Sequence, residues 1–359
     1  MSLNNIMPFD VGGEFLFNSS SRDFLVEEIP LYQFSGEGEH LIIKVKKKDL
    51  TTWDMINIIS SAVGVPKKEV GYAGLKDKNA TTIQSISIPK KYQKALESFE
   101  HPKIKFLDTT FHQNKIRVGH LKGNRFWLRF KKVLPVSRDK IDSTIRWIAQ
   151  NGSPNYFGYQ RFGKDGDNYK DGKEIIDGKK RIRDRKLKEF LISSYQSFLF
   201  NSWLSQRVKL SRLLKDFSTD EVEKILKIPK NSLKGVDSQQ NFFKVLEGDL
   251  MMHYPFGRIF TVDDTIKESQ RFFEKDISPT GLIAGKKVTL AGGVASIFER
   301  NFLDDAIKER GSRRYAWIFP QEIKGRYIKE KAQYELEFTL PKGSYATVIV
   351  DFLQGGIKK

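Results

Sequence analysis

One carboxylate in this chain stands where it could do chemistry. Asp77 lies in the run Gly71-Tyr-Ala-Gly-Leu-Lys-Asp77-Lys-Asn-Ala-Thr-Thr82, between Lys76 and Lys78 and directly before a β-prone stretch, Ile83 to Ile88. Neighbouring cations favour the ionised form of an aspartate, and an ionised carboxylate in a loop at a strand edge can serve as nucleophile or base. The same residue types also suit a turn in which the carboxylate bonds backbone amides. A second group, Asn155, Tyr156, Phe157, Tyr159, Arg161 and Phe162, lies between Pro154 and Gly163. It reads either as a packed glycine turn or as a pocket that stacks a base and bonds its edge through the Asn amide.

The elements that must position these residues are partly visible. His40 to Lys46 reads as a strand, and Thr51 to Val63 as a helix with Trp53, Ile56, Ile59 and Val63 on its apolar face. Thr51 with Asp54 resembles a capping box, and Gly64 with Pro66 ends the helix. Phe126, Leu128 and Phe130 alternate with polar or bulky neighbours as in a half-buried strand, and Tyr334 to Leu340 does the same. Lys164 to Lys188 is rich in Gly, Asp and Lys and reads as a surface loop or linker, with a helix after Ser193 carrying Tyr195, Phe198, Leu199 and Trp203. The first ~130 residues are thus α+β rather than a regular βαβ series.

Other chemistries find little support. Cysteine is absent and the five histidines are scattered, so no metal site is expected. Asp165, Asp167 and Asp171 resemble a calcium loop, but Tyr169 takes a ligand position and no Glu closes the set. Gly281 to Val288 is one residue short of a P-loop and lacks its Ser or Thr. Sixty-two Lys and Arg against forty-four Asp and Glu give a net charge of +18. Such a field draws polyanions, nucleic acid above all. No run is apolar enough to cross a bilayer, and Met1 to Phe17 lacks the features of a secretion signal. A cytoplasmic protein is the expectation. At 359 residues the chain suggests two domains.

Taken in order, three segments resemble the TruD family of tRNA pseudouridine synthases. They are Arg22 to Glu28 followed by Gly36 to Leu41, Ala73 to Ala80, and Pro154 to Gly163; a fourth, Leu340 to Thr347, is similar to the family's last strand and turn. The resemblance weakens between about 181 and 318, where the family carries an inserted domain. It implies an α+β catalytic domain, residues 1–180 plus 319–359, with a mixed, mostly antiparallel sheet flanked by helices. An α/β RNA-binding insertion over 181–318 would interrupt it.

The implied activity is isomerisation of uridine, at position 13 of tRNA, to pseudouridine, with no cofactor, no metal and no obligate protein partner. The family's catalytic aspartate falls on Asp77, and its uridine contacts on Phe24, Asn155 and Tyr345, with Phe157 beside the aspartate. A family lysine six residues before Phe24 is here Asn18, which leaves Lys76 as the supporting cation on offer. A non-catalytic basic RNA-binding protein is the alternative. A metal-dependent nuclease would need clustered acids.

Overall fold

The computed structural model describes residues 5–356, which divide into two compact units. The first is Glu14–Asp139 with Pro320–Gly343; the second is the chain up to Gly13, Lys140–Phe319, and the chain from Ser344.

Alternation of apolar and polar residues builds the first unit around one eight-stranded sheet. Its strands are β1 (Phe24–Pro30), β2 (His40–Lys48), β3 (Gly71–Tyr72), β4 (Thr81–Pro89), β5 (Ile104–His112), β6 (Leu121–Lys131), β7 (Gln321–Ile328) and β8 (Gln333–Pro341). The order is β7-β8-β6-β1-β4-β2-β5, with β3 beside β4. Only β1 and β4 run parallel, in the register Leu25 to Thr81; the other pairs of this sheet are antiparallel. The expected mixed, mostly antiparallel sheet is therefore present. A parallel pair starts both strands at the same end, so the loops entering β1 and β4 emerge side by side there.

Helix α1 (Thr52–Val63) covers one face of this sheet. Thr51 and Asp54 form the reciprocal cap read from the sequence, and Gly64 closes the helix at φ 74°. Met55, Ile56, Ile59 and Val63 are buried against Leu41, Ile43 and Val45 of β2 and Ile86 and Ile88 of β4. Each such aliphatic contributes roughly 1.5–3 kcal/mol by leaving water. Trp53 departs from its expected place: it is 49% exposed and meets Tyr72 edge-on at 5.4 Å. At 100° per residue it sits on the flank of the buried stripe.

In the second unit, the stretch expected as a loop at 164–188 holds a helix, Asn168–Ile176. Dense Lys, Asp and Gly hide its buried side, Tyr169, Gly172 and Ile175. A Cβ on Gly172 would stand 2.2 Å from the Leu191 carbonyl oxygen, so glycine is what lets the two helices approach. The neighbouring helix, Arg185–Asp216, starts eight residues before Ser193 because Asp184 caps it through Lys186 and Leu187. Strand Ile277–Ile283 pairs with Leu250–His253 and Ser312–Tyr315, and Leu250–His253 continues to Ile259–Thr261. Packing groups 140–180 and the last helix, Ala346–Leu353, with the middle of the chain. Trp317 pairs with Pro154, and Tyr169 stacks on Phe198 at 4.2 Å. The compact units thus fall at other boundaries than the chain insertion expected over 181–318. No helix among the described residues is long and apolar enough to cross a membrane.

Candidate active site

Asp77 sits in the β3–β4 connection, and the fold pins that loop from three sides. The Lys76 amide donates to Thr52 Oγ1 at 2.9 Å, Thr52 Oγ1 donates to Gln84 Oε1 at 3.0 Å, and Gln84 Nε2 donates to the Gly74 carbonyl at 3.3 Å. These bonds tie the loop to the first turn of α1 and to β4. Asp77 itself is exposed, and among the described residues no hydrogen bond or ion pair occupies its carboxylate. A side chain serving only to bond turn amides would show such a partner.

The cation beside this loop is Lys47, not the one its neighbours in sequence offer. Lys76 turns to Glu28, Nζ to Oε2 at 2.7 Å, and both side chains are buried. Burial raises the Glu28 carboxyl, and the Lys76 charge opposes that rise. Lys47, fully buried on β2, donates to the carbonyls of Leu50 and, at 3.4 Å, Asp77. Burial pulls its ammonium down to about 8, Asp77 and Asp54 support the charged form, and Lys76 opposes it. Phe24 opens β1 at the same end of the sheet. Its ring is buried, 6.1 Å from Phe126 and 5.9 Å from Phe17. Asp23 before it pairs with Lys131 and Arg129.

Asn155, Phe157 and Tyr345 come together in the second unit around Arg314. The Arg314 guanidinium donates to the Asn155 carbonyl at 3.0 Å and to Asn155 Oδ1 at 2.9 Å, and lies 4.0 Å above the Phe157 ring. Asn155 Nδ2 donates to the Tyr315 carbonyl at 2.9 Å. Both ends of this amide are therefore engaged, which fixes its orientation. Asn201 clamps the Phe157 backbone, accepting from its amide at 2.8 Å and donating to its carbonyl at 3.0 Å. The Tyr345 ring stands 6.1 Å from Phe157. Burial lowers Arg314 to about 10, so it stays a cation at neutral pH. On the last helix, burial pushes the Asp351 carboxyl up to about 7, and its Oδ2 has no hydrogen-bond partner.

The family model described as tRNA pseudouridine synthase D (TruD) matches residues 10–182 and 233–351. The chain belongs to the TruD family. It is 54% identical over 338 residues to the tRNA pseudouridine synthase D of a Nitratiruptor species, covering 94% of each chain. It is 50% identical over 341 residues to that of Wolinella succinogenes, covering 95% of this chain and 94% of the other. A crystal structure of a putative TruD from Methanosarcina mazei, 20% identical, shares the fold with a TM-score of 0.71 over 98% of this chain and 96% of that one. The TruD match runs through 233–318, where the resemblance by motif was weak, and leaves only 183–232 unmatched inside it. Among the described residues no group of three or more His, Asp or Glu is placed to hold a metal ion.

Two cations beside the candidate residues, one in each unit, escaped the sequence reading. Arg314 and Lys47 are single cations among sixty-two basic residues, and each acquires meaning only through a partner distant in sequence. Gly158 carried a signal, since glycine between two aromatics marks a close approach. A Cβ there would stand 2.7 Å from Thr347 Oγ1 and 3.0 Å from Tyr345 Cδ1. Gly158→Ala is therefore expected to push the Tyr345 ring aside and lower kcat/KM about tenfold to a hundredfold with little loss of folding. Steady-state kinetics alongside a thermal melt would check it.

Proposed function

We propose that this chain is a tRNA pseudouridine synthase that isomerises uridine at position 13. The exposed, unpartnered carboxylate of Asp77, in the segment that matches the family, carries this reading. In the reaction the C1′–N1 glycosidic bond breaks, the uracil rotates, and a C1′–C5 bond forms. The C5 proton is lost and N1 gains one, so atoms and electrons balance without a cofactor. The target base has to leave its stack to expose the sugar and both faces of the ring. Asp77 attacks the nucleoside or removes a ribose proton. The family resemblance implies uridine contacts at Phe24, Asn155 and Tyr345; within the second unit Phe157 and Tyr345 supply rings and Asn155 an oriented amide. The +18 charge holds the RNA through phosphates, so binding should weaken steeply with salt. Mapping pseudouridine in unmodified tRNA transcripts tests the reading. Product at position 13 supports it; tight binding with no product would make the chain an RNA-binding module instead.

We also assign Lys47, rather than Lys76, as the cation that holds the Asp77 loop. Since burial lowers it to about 8, turnover should fall as pH rises through 8, and Lys47→Arg should move that limb upward. Stability moves the other way. Between about 8 and the ordinary lysine value near 10.5 the unfolded chain binds more protons than the folded one, so this group adds stability as pH rises. A pH–rate profile that falls while the melting temperature holds would separate the two. A profile flat to pH 10 would rule the assignment out.

A further inference from the structure

The end of the sheet remote from Asp77 carries a cavity of about 490 Å³ lined by Tyr32, Gln33, His112, Asn114, Lys115, Arg117 and His120, none of them a carboxylate. Hydrogen bonds fix what its imidazoles present. The Ser35 amide donates to His112 Nδ1 at 3.3 Å, and the Arg117 amide donates to His120 Nδ1 at 3.4 Å. A backbone N–H can only donate, so each Nδ1 is an acceptor and the proton of each neutral ring sits on Nε2. Tyr32 then donates its hydroxyl to His120 Nδ1 at 2.9 Å, and its ring stacks on His112 at 5.1 Å. Each ring therefore carries an Nε2–H donor, and Lys115 and Arg117 line the same cavity. Such a set accepts an anion and rejects a cation. By contrast, the cavity lined by Glu27, Glu28, Asp108 and Glu322 in the same unit is rich in carboxylates that would repel one.

Position narrows the choice of anion. His40 pairs with His112 at one end of β2, and Lys47 reaches the Asp77 carbonyl at the other. The strand between them spans roughly 23 Å at ~3.3 Å per residue. That distance corresponds to several nucleotides along an RNA strand. We infer that this cavity is a docking site for a backbone phosphate of the RNA substrate, several nucleotides from the uridine being isomerised. This rests on the tRNA reading above. Arg117 is exposed and Lys115 is held by donating to the Lys68 carbonyl, so the cations are carried on a fixed segment.

The test is equilibrium binding of unmodified tRNA across a salt series. It compares wild type, Arg117→Gln, the double change Lys115→Gln with Arg117→Gln, and Lys94→Gln as a charge control on the short helix Gln93–Glu97. Losing Arg117 should raise Kd about tenfold and reduce the slope of log Kobs against log salt by about 1. The loss should fall on KM, and the control should match wild type. Equal Kd and slope for wild type and both cavity variants would overturn the site.

Inorganic phosphate, followed through the imidazole NMR signals of His112 and His120, separates the sources. If phosphate moves those signals and tRNA does not, the cavity takes a free anion and the RNA assignment falls. Wild type that binds tRNA through Arg117 yet makes no pseudouridine would defeat the enzymatic reading and keep the site.

Discussion

Asp77→Asn is expected to reduce pseudouridine formation by at least about a thousandfold, the scale on which losing a reacting group acts. The tRNA affinity should change by less than about threefold, because phosphate contacts dominate it. The amide is nearly isosteric, and the Asp77 carboxylate loses no hydrogen bond or ion pair among the described residues, only the charge that supports protonated Lys47. The loop anchored by Thr52 and Gln84 should therefore keep its shape. Chemical mapping of pseudouridine paired with filter binding would check both halves. Near-normal product from Asp77→Asn would remove the carboxylate from the mechanism and require another reacting residue.

Arg314→Leu is the second large effect. The substitution removes the donors to the Asn155 carbonyl and Oδ1 and the cation above Phe157. Charged hydrogen bonds contribute about 1.5–3 kcal/mol each and a desolvated cation–π contact about 2. A fall in kcat/KM of about a hundredfold follows if part of that energy orients the amide and the ring. Arg314→Lys should recover less than about tenfold of it, since an ammonium lacks the planar fork that serves both oxygens. Kinetics of both variants, with Asp77→Asn as the floor, decide the matter. Wild-type kcat/KM in Arg314→Leu would reduce the arginine to a packing role.

What the sequence made legible follows how local each signal is. The cap of Thr51 with Asp54, the stop at Gly64 and the alternation along β6 and β8 are written within a few residues, and the structure keeps them. The Asp77 and Asn155–Phe157 segments were found because each is a contiguous run. Lys47 and Arg314 were not. Lys47 looks like one more basic residue on a strand edge until the β3–β4 loop closes over it, and Arg314 meets Asn155 across most of the second unit's sequence. Lys76 misled for the same reason. Adjacency to Asp77 in sequence suggested a partner, yet the side chain finds Glu28, 48 positions away. The helix Asn168–Ile176 was hidden because only three of its nine residues are buried, and one of those is glycine.

The lone parallel pairing in the sheet also bears on how this enzyme acquires its activity during folding. Leu25 and Thr81 meet across about 56 positions, and contacts so separated in sequence close late, after their loop entropy has been overcome. The loop bearing Asp77 is bracketed by the short β3–β4 pairing, Tyr72 to Ile86, but leads directly into the parallel contact, so its final placement waits on Thr81 reaching β1. Activity should then return on refolding in the same phase as protection of the Thr81 to Ile83 amides from exchange, without a preceding burst. The carboxylate proposed to react is thus set by a long-range contact rather than by its own hairpin.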